Sequence, residues 1–390
     1  MRTQVGIVGA GPAGLSLSHL LRRHGIDSVV VETRSREYVE KRVRAGVLEQ
    51  STVDLLHAIG VGERMAREGL VHHGIELLFD GQAHRIPLSD LTGGRAITIY
   101  GQQHVVHDLT EARLATGAPL HFEAGEVTLL DVETPTPRIA FTVDGRRMEL
   151  ACDVIAGCDG FHGVSRGTLP ASARRTLERE YPFGWLGILA DVPPAADELI
   201  YAHHARGFAL HSLRSPRISR LYLQVDPHED LADWPDARIW DELHTRLAHD
   251  GWSLKEGPIL EKGITPMRSF VCEPMRHGRL FLAGDAAHIV PPTGAKGLNL
   301  AVHDVSVLAE VLADWYRTGS ETPLEAYSPT CLRRVWRVQH FSWWMTSMLH
   351  NFPDHDRFQR NLQRAQLEYL VSSDAAATSL AENYVGLPWA

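Results

Sequence analysis

The first 32 residues constrain the fold most strongly. An apolar stretch at residues 4–8 runs into GAGPAG at residues 9–14, an apolar helix follows, and a second apolar stretch ends at Glu32. Glycines at this spacing permit a tight turn, the approach of a pyrophosphate to the helix N-terminus and close helix–strand packing, while an acid at the end of the second strand suits two ribose hydroxyls. The pattern predicts a Rossmann-like dinucleotide-binding unit whose candidate binding residues are Gly9, Gly11, Gly14 and Glu32.

A second loop of this kind lies at residues 284–299. A predicted strand at residues 279–283 ends in Gly284-Asp285, where the acid, expected to be buried, is placed to accept hydrogen bonds from a polyol. Two prolines, including Pro292, stiffen the loop, and small residues up to Gly297 let a flat ligand approach the backbone. A helix is predicted to begin near Asn299.

Further candidates lie where other predicted strands end. Asp159 follows the buried strand at residues 153–157, and Gln102 lies at a strand-to-helix junction. These are positions where ligands of open α/β sheets collect. Arg42 and Arg44 precede the small residues Ala45 and Gly46, so they are candidates for contacting a phosphate, whereas Arg36 and Lys41 are typical of a solvated helix face.

Residues 181–269 change in character to short β-like segments rich in Tyr, Trp and Arg. A turn at residues 215–219 predicts a hairpin. Side chains two apart on a strand share a face, so one face would carry a hydroxyl, two guanidinium groups and a phenol. An exposed sheet face is the alternative. The candidate substrate-binding residues are Ser212, Arg214, Arg220 and Tyr222, and Tyr201 on a preceding strand could face the same cavity.

Composition bounds the remaining possibilities. The 390-residue chain predicts more than one domain, and its net charge of −9 argues against a nucleic-acid partner. Four cysteines without CxxC spacing, an N-terminus that enters a strand at once and the lack of a long apolar run predict a cytoplasmic protein that does not insert into a membrane. The 22 histidines are expected to be scattered and solvent-facing, and no metal site is predicted.

The C-terminal region is predicted to be helical from about residue 322. Its run FSWWMTSMLHNF at residues 341–352 is typical of a core or subunit-interface helix, and Tyr384 is expected in a turn near the terminus. Three regions are predicted: a nucleotide-binding domain at residues 1–180, with segments near 73–97 on the substrate side, a β-rich substrate domain at residues 181–269, and residues 270–390, which return to the first domain and end in an interface region. A homodimer is expected.

The motifs GAGPAG at 9–14, CDG at 158–160 and GDAAHIVPPTGAKGLNLAVHD at 284–304 resemble the three fingerprints of the single-component flavoprotein aromatic hydroxylases. RAGVLEQ at 44–50, RGFALHSLRS at 206–215 and AENYVGLP at 381–388 resemble those members that act on 4-hydroxybenzoate, and the resemblance covers essentially the whole chain. It implies an α/β fold with an α+β substrate domain: a Rossmann-like FAD-binding domain, an inserted mixed β-sheet domain and a helical C-terminal region.

The resemblance also implies an activity. FAD, NADPH or NADH, and O2 would convert 4-hydroxybenzoate to 3,4-dihydroxybenzoate through a flavin C4a-hydroperoxide attacked by the phenolate ring. Thr33-Arg34 departs from the Arg-Gln pair that NADPH-specific members carry at this place. Arg34 could nevertheless meet a 2′-phosphate, and NADPH is therefore favoured over NADH. A hydroxylase of a related phenolic acid, a flavoprotein reductase and a sensor are the alternatives. A halogenase is disfavoured because the sequence lacks a WxWxIP motif.

Residue roles follow from the resemblance position by position. For FAD, Glu32 would hold the adenosine ribose, Arg44 and Gln102 the phosphate and ribityl region, Asp285 the ribityl chain, and Leu298 and Asn299 the isoalloxazine. For the substrate, Ser212, Arg214 and Tyr222 would bind the carboxylate, Arg220 would lie near the flavin, and Pro292 and Thr293 would lie near the reacting ring. Tyr201 and Tyr384 would carry the phenol proton towards His72 at the solvent end. For the nicotinamide coenzyme the candidates are Arg34, Tyr38, Arg42, Arg44, His162 and Arg268.

Overall fold

A computed structural model describes residues 1–42 and 46–389 of the chain. Its strands are, in chain order, β1 (Val5–Val8), β2 (Ser28–Val31), β3 (Val47–Leu48), β4 (Leu70–His72), β5 (Ile75–Phe79), β6 (Gln82–Ile86), β7 (Ile97–Ile99), β8 (Leu120–His121), β9 (Gly125–Leu130), β10 (Arg138–Val143), β11 (Arg146–Ala151), β12 (Val154–Gly157), β13 (Arg175–Ala190), β14 (Leu199–Ala202), β15 (Ala209–Leu213), β16 (Ser219–Val225), β17 (Ile259–Glu273), β18 (Arg276–His277), β19 (Leu280–Leu282) and β20 (His288–Ile289).

The α-helices are α1 (Pro12–Arg23), α2 (Arg36–Lys41), α3 (Gln50–Ala58), α4 (Glu63–Glu68), α5 (Leu88–Leu91), α6 (Gln102–Ala115), α7 (Ser165–Thr168), α8 (Asp236–Leu247), α9 (Gly297–Thr318), α10 (Thr322–Leu349), α11 (Arg357–Ser372) and α12 (Asp374–Tyr384). Short 3-10 turns cover Leu231–Asp233, Gly284–Ala286 and Pro292–Gly294. No helix in the described part of the chain is both long and apolar enough to cross a membrane.

A six-stranded sheet in the order β18-β19-β12-β1-β2-β8 forms the nucleotide-binding half. Its strands are parallel apart from β18. Both faces are covered, which explains why β1 and β2 are apolar at nearly every position rather than at alternate ones. Helices α1, α6 and α9 pack together beside this sheet. The predicted βαβ opening and the predicted strand at residues 279–283 are confirmed.

The second half is built on an eight-stranded sheet in the order β20-β17-β13-β16-β15-β14-β5-β6. It takes in β5 and β6, which lie within the 73–97 segment expected on the substrate side. The predicted boundaries of the substrate domain, at residues 181 and 269, fall inside strands β13 and β17, and the division into domains stays a prediction. Two three-stranded sheets, β11-β10-β9 and β3-β7-β4, complete the β structure of the described residues.

The eight-stranded sheet has two differently used faces. Along β16 the residues alternate between buried and half-buried, with Leu221 and Leu223 in a core with α8 and with Arg220 and Tyr222 on the opposite face. On that opposite face a separate core joins the sheet to α10, α11 and α12. The predicted hairpin is confirmed as β15 and β16, and its polar residues lie between the two halves of the molecule.

The C-terminal region is helical as expected, but Tyr384 is the last residue of α12 rather than part of a turn. It is fully buried. The expectation of solvent-facing histidines is also wrong for several of them. Burial lowers the pKa values of four buried histidines well below the ordinary 6.5, to about 4 or, for the last of them, about 3: His72, His211, His303 and His350.

Because of the lowered pKa values of these histidines, we expect the free energy of unfolding to fall in acid. Between about pH 4 and 6.5 the unfolded chain binds a proton at each of them and the folded chain does not, so stability falls as the pH falls through that window. Each contributes a slope of up to about 1.4 kcal/mol per pH unit. His288 opposes this trend, because Asp304 outweighs burial and raises the pKa of its imidazole.

Urea unfolding of the protein at pH 7 and pH 5 tests this expectation. A His211→Gln variant is the matched comparison, since its amide oxygen can still accept the hydrogen bond that Ala195 N donates to His211 Nε2 at 3.1 Å. The variant should lose less stability on acidification than the wild type. An unfolding midpoint that is equal at the two pH values would contradict the prediction.

Candidate active site

A cavity lies between the polar face of the eight-stranded sheet and the loop before α9. Its cavity volume is about 40 Å³. Its lining is mostly apolar with a few polar groups, and consists of Gly46, Val47, Ile99, Trp185, Leu199, Tyr201, Leu210, Ser212, Leu213, Arg214, Arg220, Tyr222, Pro292 and Ala295. The four residues predicted from strand periodicity, Ser212, Arg214, Arg220 and Tyr222, thus line one cavity, and Tyr201 from a preceding strand lines it as well.

One end of this cavity is cationic. Ser212 and Arg220 are directly opposite on β15 and β16, and the Arg220 guanidinium lies 5.1 Å from the centroid of the Tyr222 ring. Nε and Nη1 of Arg220 are buried without a hydrogen-bond partner among residues 1–42 and 46–389. Arg214 Nη1 lies 2.6 Å from where a Cβ on Gly46 would be, so the glycine makes room for the guanidinium. Such an end favours an anionic ligand.

A pair of phenols lies in the same region. The hydroxyl oxygens of Tyr201 and Tyr384 are 2.5 Å apart, and both side chains are buried. Burial, together with the neighbouring phenol, raises the pKa of Tyr201, and burial raises that of Tyr384. Both are therefore neutral at physiological pH. Tyr201 lines the cavity, so the predicted hydroxyl pair begins at the cavity wall and leads away from it.

His72 is at the end of β4, paired with Ile97 of β7. It was expected at the solvent end of the relay, but only 1% of its surface is exposed. Neither ring nitrogen has a hydrogen-bond partner in the described part of the chain. Burial outweighs the attraction of Glu198 and Asp197 and lowers the pKa of His72 to about 4. Its imidazole is neutral at pH 7, and its role in the relay stays a prediction.

The loop that follows β19 is held by one buried carboxylate. Asp304 Oδ2 accepts hydrogen bonds from Gly284 N at 2.9 Å and from His288 Nε2 at 2.6 Å. Gly284 has φ +63°, a value that glycine adopts without strain. These contacts leave Asp285 exposed rather than buried, with its carboxylate available to a ligand.

The other predicted residues of this loop divide into lining and supporting groups. Pro292 lines the cavity, whereas the fully buried Thr293 has its hydroxyl 2.9 Å from that of Thr346 on α10. The Asn299 side chain accepts from Glu49 N at 2.9 Å and donates to the carbonyls of Val47 and Ala295. Asn299 therefore joins β3 to the loop, and Leu298 packs partly against the core of the nucleotide-binding half.

Sequence reasoning missed a buried ion network beside these residues. Lys296 Nζ donates to Glu49 Oε1 at 2.8 Å and to the Tyr384 carbonyl at 2.7 Å. Arg334 Nη2 donates to Glu49 Oε2 at 3.2 Å. The only signal in the sequence is a lysine within the otherwise small and apolar run TGAKGLNLAV.

The first glycine motif forms an open cradle. A Cβ on Gly9 or Gly14 would collide with backbone, at Cys158 or Gly9 respectively, whereas a Cβ on Gly11 would meet nothing within 4 Å. Gly11 caps α1, whose N-terminal N–H groups form an anion-binding site. The buried Glu32 accepts from Ala10 N at 2.7 Å and from Arg34 N at 2.8 Å, which fixes its carboxylate beside this cradle.

The remaining FAD candidates are placed as follows. Asp159 Oδ2 accepts from Ser165 N at 2.9 Å and so orders the loop before α7, while its Oδ1 is buried without a partner among the described residues. Gln102 is the first residue of α6, as predicted. Arg42 is exposed at the C-terminal end of α2, and Arg44 lies outside the described residues.

The coenzyme candidates form two surface groups. Arg34 lies 5.3 Å over the ring of the half-exposed Tyr38, whereas Arg36 and Lys41 are neutralised by Glu40 and Glu37. In the second group His162 and Arg268 both contact the ring of Phe161, at 5.0 and 5.1 Å.

Comparison with known proteins fits this geometry. The family described as "FAD binding domain" matches residues 2–342. A p-hydroxybenzoate hydroxylase of Acinetobacter baylyi is 50% identical over 390 residues, which are 100% of this chain and 96% of that protein. The chain belongs to the flavoprotein aromatic hydroxylases. A 3-amino-4-hydroxybenzoate 2-monooxygenase of Streptomyces cremeus is 27% identical, over 79% of this chain and 78% of that one. The crystal structure of a p-nitrophenol 4-monooxygenase from Pseudomonas putida has the same fold, with a TM-score of 0.84, 18% identity and 99% coverage of both chains.

The residues of this hydroxylase fit its FAD. The open space at Gly11 and the N-terminus of α1 suit the pyrophosphate, and the buried carboxylate of Glu32 lies beside them. The exposed Asp285 and the N-terminus of α9, where a Cβ on Gly297 would meet nothing within 4 Å, suit the ribityl chain and the ring. The two cradles lie side by side, because α1 packs against α9.

The glycines separate stability from cofactor binding. We expect Gly14→Ala to lower the stability of the FAD-free protein by about 1–3 kcal/mol, because its methyl group collides with the Gly9 carbonyl. Gly11→Ala should leave that stability within about 0.5 kcal/mol of the wild type. It should nevertheless weaken FAD binding at least about tenfold, since its methyl occupies the approach to the pyrophosphate. Urea unfolding and fluorescence titration with FAD measure the two effects, and wild-type FAD affinity in Gly11→Ala would refute the cradle assignment.

Proposed function

We propose that this flavoprotein is a 4-hydroxybenzoate 3-monooxygenase. The observation that carries the proposal is a single cavity with guanidinium groups at one end and a buried phenol pair at its wall. 4-Hydroxybenzoate has a carboxylate and a phenol at opposite ends of a flat ring. The full-length relative named p-hydroxybenzoate hydroxylase supports the same substrate. The reaction consumes the phenol, NADPH, H⁺ and O2 and yields 3,4-dihydroxybenzoate, NADP⁺ and H2O.

The substrate carboxylate would bind at the cationic end. Arg214 offers a planar, two-pronged donor, and Ser212 and Tyr222 add hydroxyl groups on the same face of the sheet. Arg220, with its buried and unsatisfied nitrogens, adds positive charge without needing to contact the carboxylate directly. A carboxylate fixed at this end places the ring beside Pro292 and the phenol towards Tyr201.

The phenol pair would take the substrate proton. When bound, the flavin accepts a hydride from the coenzyme and delivers one atom of O2 to the ring. The ring is nucleophilic enough for that step only as its phenol loses a proton, and Tyr201 would accept this proton while Tyr384 passes one on. Two hydroxyls can do this without forming a charged tyrosinate, which their raised pKa values disfavour.

Exclusion of water is the second contribution of the chain. The cavity is lined by apolar side chains such as Val47, Ile99, Leu199 and Leu210. These keep water from the reacting centre, where reduced oxygen would otherwise be released as hydrogen peroxide.

Product identification tests the proposal. The purified flavoprotein is given 4-hydroxybenzoate and O2 with NADPH or NADH, and coenzyme oxidation and aromatic products are measured. We expect substrate-stimulated oxidation and 3,4-dihydroxybenzoate in close to equal amounts. Oxidation that the substrate does not stimulate, or stimulation without a dihydroxy product, would refute the hydroxylase function.

NADPH is the coenzyme that we propose. Arg34 beside Tyr38 and Arg268 beside Phe161 provide surface guanidinium groups for a 2′-phosphate and a pyrophosphate, and His162 lies against the same Phe161 ring. The same assay tests this preference. If the rates of coenzyme oxidation with NADH and NADPH were equal, the 2′-phosphate would make no significant contribution to binding.

Replacement of Tyr201 tests the proton relay. Tyr201→Phe removes the first hydroxyl while keeping the ring that packs in the cavity, so binding of 4-hydroxybenzoate should change by less than about threefold. The product formed per NADPH consumed should fall several-fold, because oxygen is still reduced but the ring is no longer activated. A Tyr327→Phe variant is the matched control, since its hydroxyl bonds the Leu282 carbonyl away from the cavity. Wild-type product yield in Tyr201→Phe would contradict the relay.

A homodimer in the cytoplasm completes the proposal. The four cysteines are buried free thiols, in keeping with a reducing compartment. Exposed apolar side chains concentrate on the neighbouring helices α10 and α11, where Phe358, Leu362 and Tyr369 are 69%, 56% and 59% exposed and Trp336 and Trp343 are 44% and 39% exposed. Helical spacing places the α11 residues on one stripe, and a second copy of the chain would cover it.

Light scattering on the purified protein tests this interface. The wild type should have the mass of a dimer, and a Phe358→Glu/Leu362→Lys double variant should be monomeric or dissociate at about tenfold or more higher concentration. Leu260→Glu, at another residue that is 55% exposed but lies on β17, is the matched control. A double variant that dimerises like the wild type would place the interface elsewhere.

A further inference from the structure

The last turn of α10 lies between two walls of the substrate cavity. Thr346 is in this turn and His350 is the residue that caps the helix, four positions further on, so both lie on the same face of the helix end. Both side chains are completely buried. Thr346 contacts the loop of the nucleotide-binding half, and His350 contacts the eight-stranded sheet.

His350 is connected to the eight-stranded sheet by a hydrogen bond with Trp185. The indole Nε1–H of Trp185 donates to His350 Nε2 at 2.7 Å, and His350 Nδ1 lies 3.0 Å from the Thr346 carbonyl. An indole can only donate, so Nε2 must be unprotonated and the imidazole proton must be on Nδ1, donated to that carbonyl. This requires the neutral ring, and burial lowers the pKa of His350 to about 3.

The position of Trp185 bears directly on the cavity. Trp185 lines it, and its ring lies 4.8 Å from that of Tyr222 and 5.1 Å from that of Phe208. The imidazole of His350 is stacked between Phe183 and Phe208, at 4.7 and 4.4 Å. Neither the histidine nor the indole can turn without breaking this stack.

Thr346 holds the opposite wall. Its hydroxyl oxygen lies 2.9 Å from that of Thr293 and 2.7 Å from the Ser342 carbonyl. Thr293 directly follows Pro292, which lines the cavity. The end of α10 therefore contacts Trp185, which forms the aromatic wall of the cavity, and Thr293, which is next to Pro292 in the opposite wall.

We propose that His350 and Thr346 are positioning residues that fix the distance between Trp185 and Pro292 and thereby select a flat, single-ring phenolic acid. Neither residue touches the substrate. Their effect passes through Trp185 and Thr293, and the inference rests on the proposed function of the cavity. Loss of either contact lets one wall move, so that the ring is held less tightly and oxygen transfer to it becomes less efficient.

The test compares His350→Leu with His350→Gln. Leucine removes the acceptor and leaves the Trp185 N–H buried and unbonded, which we expect to weaken 4-hydroxybenzoate binding about tenfold and to lower the product per NADPH. Glutamine can accept from the indole with its amide oxygen and donate to the Thr346 carbonyl with its amide nitrogen, and should restore substrate binding to within about threefold of the wild type. FAD affinity should be unchanged in both, and Ser347→Ala, in the same turn, is the control.

Thr346→Val, which is isosteric and lacks the hydroxyl, provides a second test if His350→Leu does not fold. This variant should form less product per NADPH, and its FAD affinity should be unchanged. The KM for bulkier, ring-substituted 4-hydroxybenzoates should differ less from the KM for 4-hydroxybenzoate than it does in the wild type. Wild-type substrate affinity, yield and selectivity in the folded variants would overturn the proposal, as would equal damage by leucine and glutamine. A wild type that forms no dihydroxy product would instead refute the proposed function, whatever the variants do.

Discussion

The buried charge of Glu49 is the constraint on which the site depends. A carboxylate out of water costs several kcal/mol unless it is paired, and here Lys296 and Arg334 supply the pairing from remote parts of the chain. The same two cations donate to the carbonyls of Tyr384 and Leu387. Satisfying one acid therefore fixes the loop before α9, helix α10 and the C-terminal segment relative to β3.

This ion network also fixes the position of Tyr384. Tyr384 ends α12, and its backbone carbonyl is held by Lys296, whose ammonium group also lies 5.5 Å over the tyrosine ring. Gly386 follows closely, where any side chain would collide with the Glu49 carboxylate. The hydroxyl contact between Tyr384 and Tyr201, which are 183 residues apart in the chain, is thus supported by the charge pairing in the loop before α9.

Local sequence patterns predicted the parts of this arrangement that local physics determines. The glycine motif required a strand before it and a helix after it, and strand alternation alone predicted that Ser212, Arg220 and Tyr222 share one face of a sheet. The same reasoning failed where distant contacts decide. Asp285 was expected to be buried because it follows an apolar strand, but Asp304 takes the buried position beside Gly284. The place of Asn299 beside the flavin stays a prediction from the resemblance, and local patterns gave no sign that its side chain bonds backbone at Val47 and Glu49, some 250 residues away. No periodicity reports such pairs.

The absence of charge along the proposed proton path has a mechanistic meaning. Tyr201 and Tyr384 are neutral, and so is His72, because burial opposes the charged form of each. A proton leaving the substrate can then move only by exchange along the hydroxyls, with no group in between holding it. The bias towards phenolate must come from fixed cations that do not themselves titrate. Arg214 and Arg220 line the cavity and can supply this positive charge, whereas Lys296 lies over the Tyr384 ring but is already paired with Glu49. In a weakly screened interior the two guanidinium groups would lower the energy of a bound phenolate, and the proposed neutral relay would let the proton return once the ring has reacted.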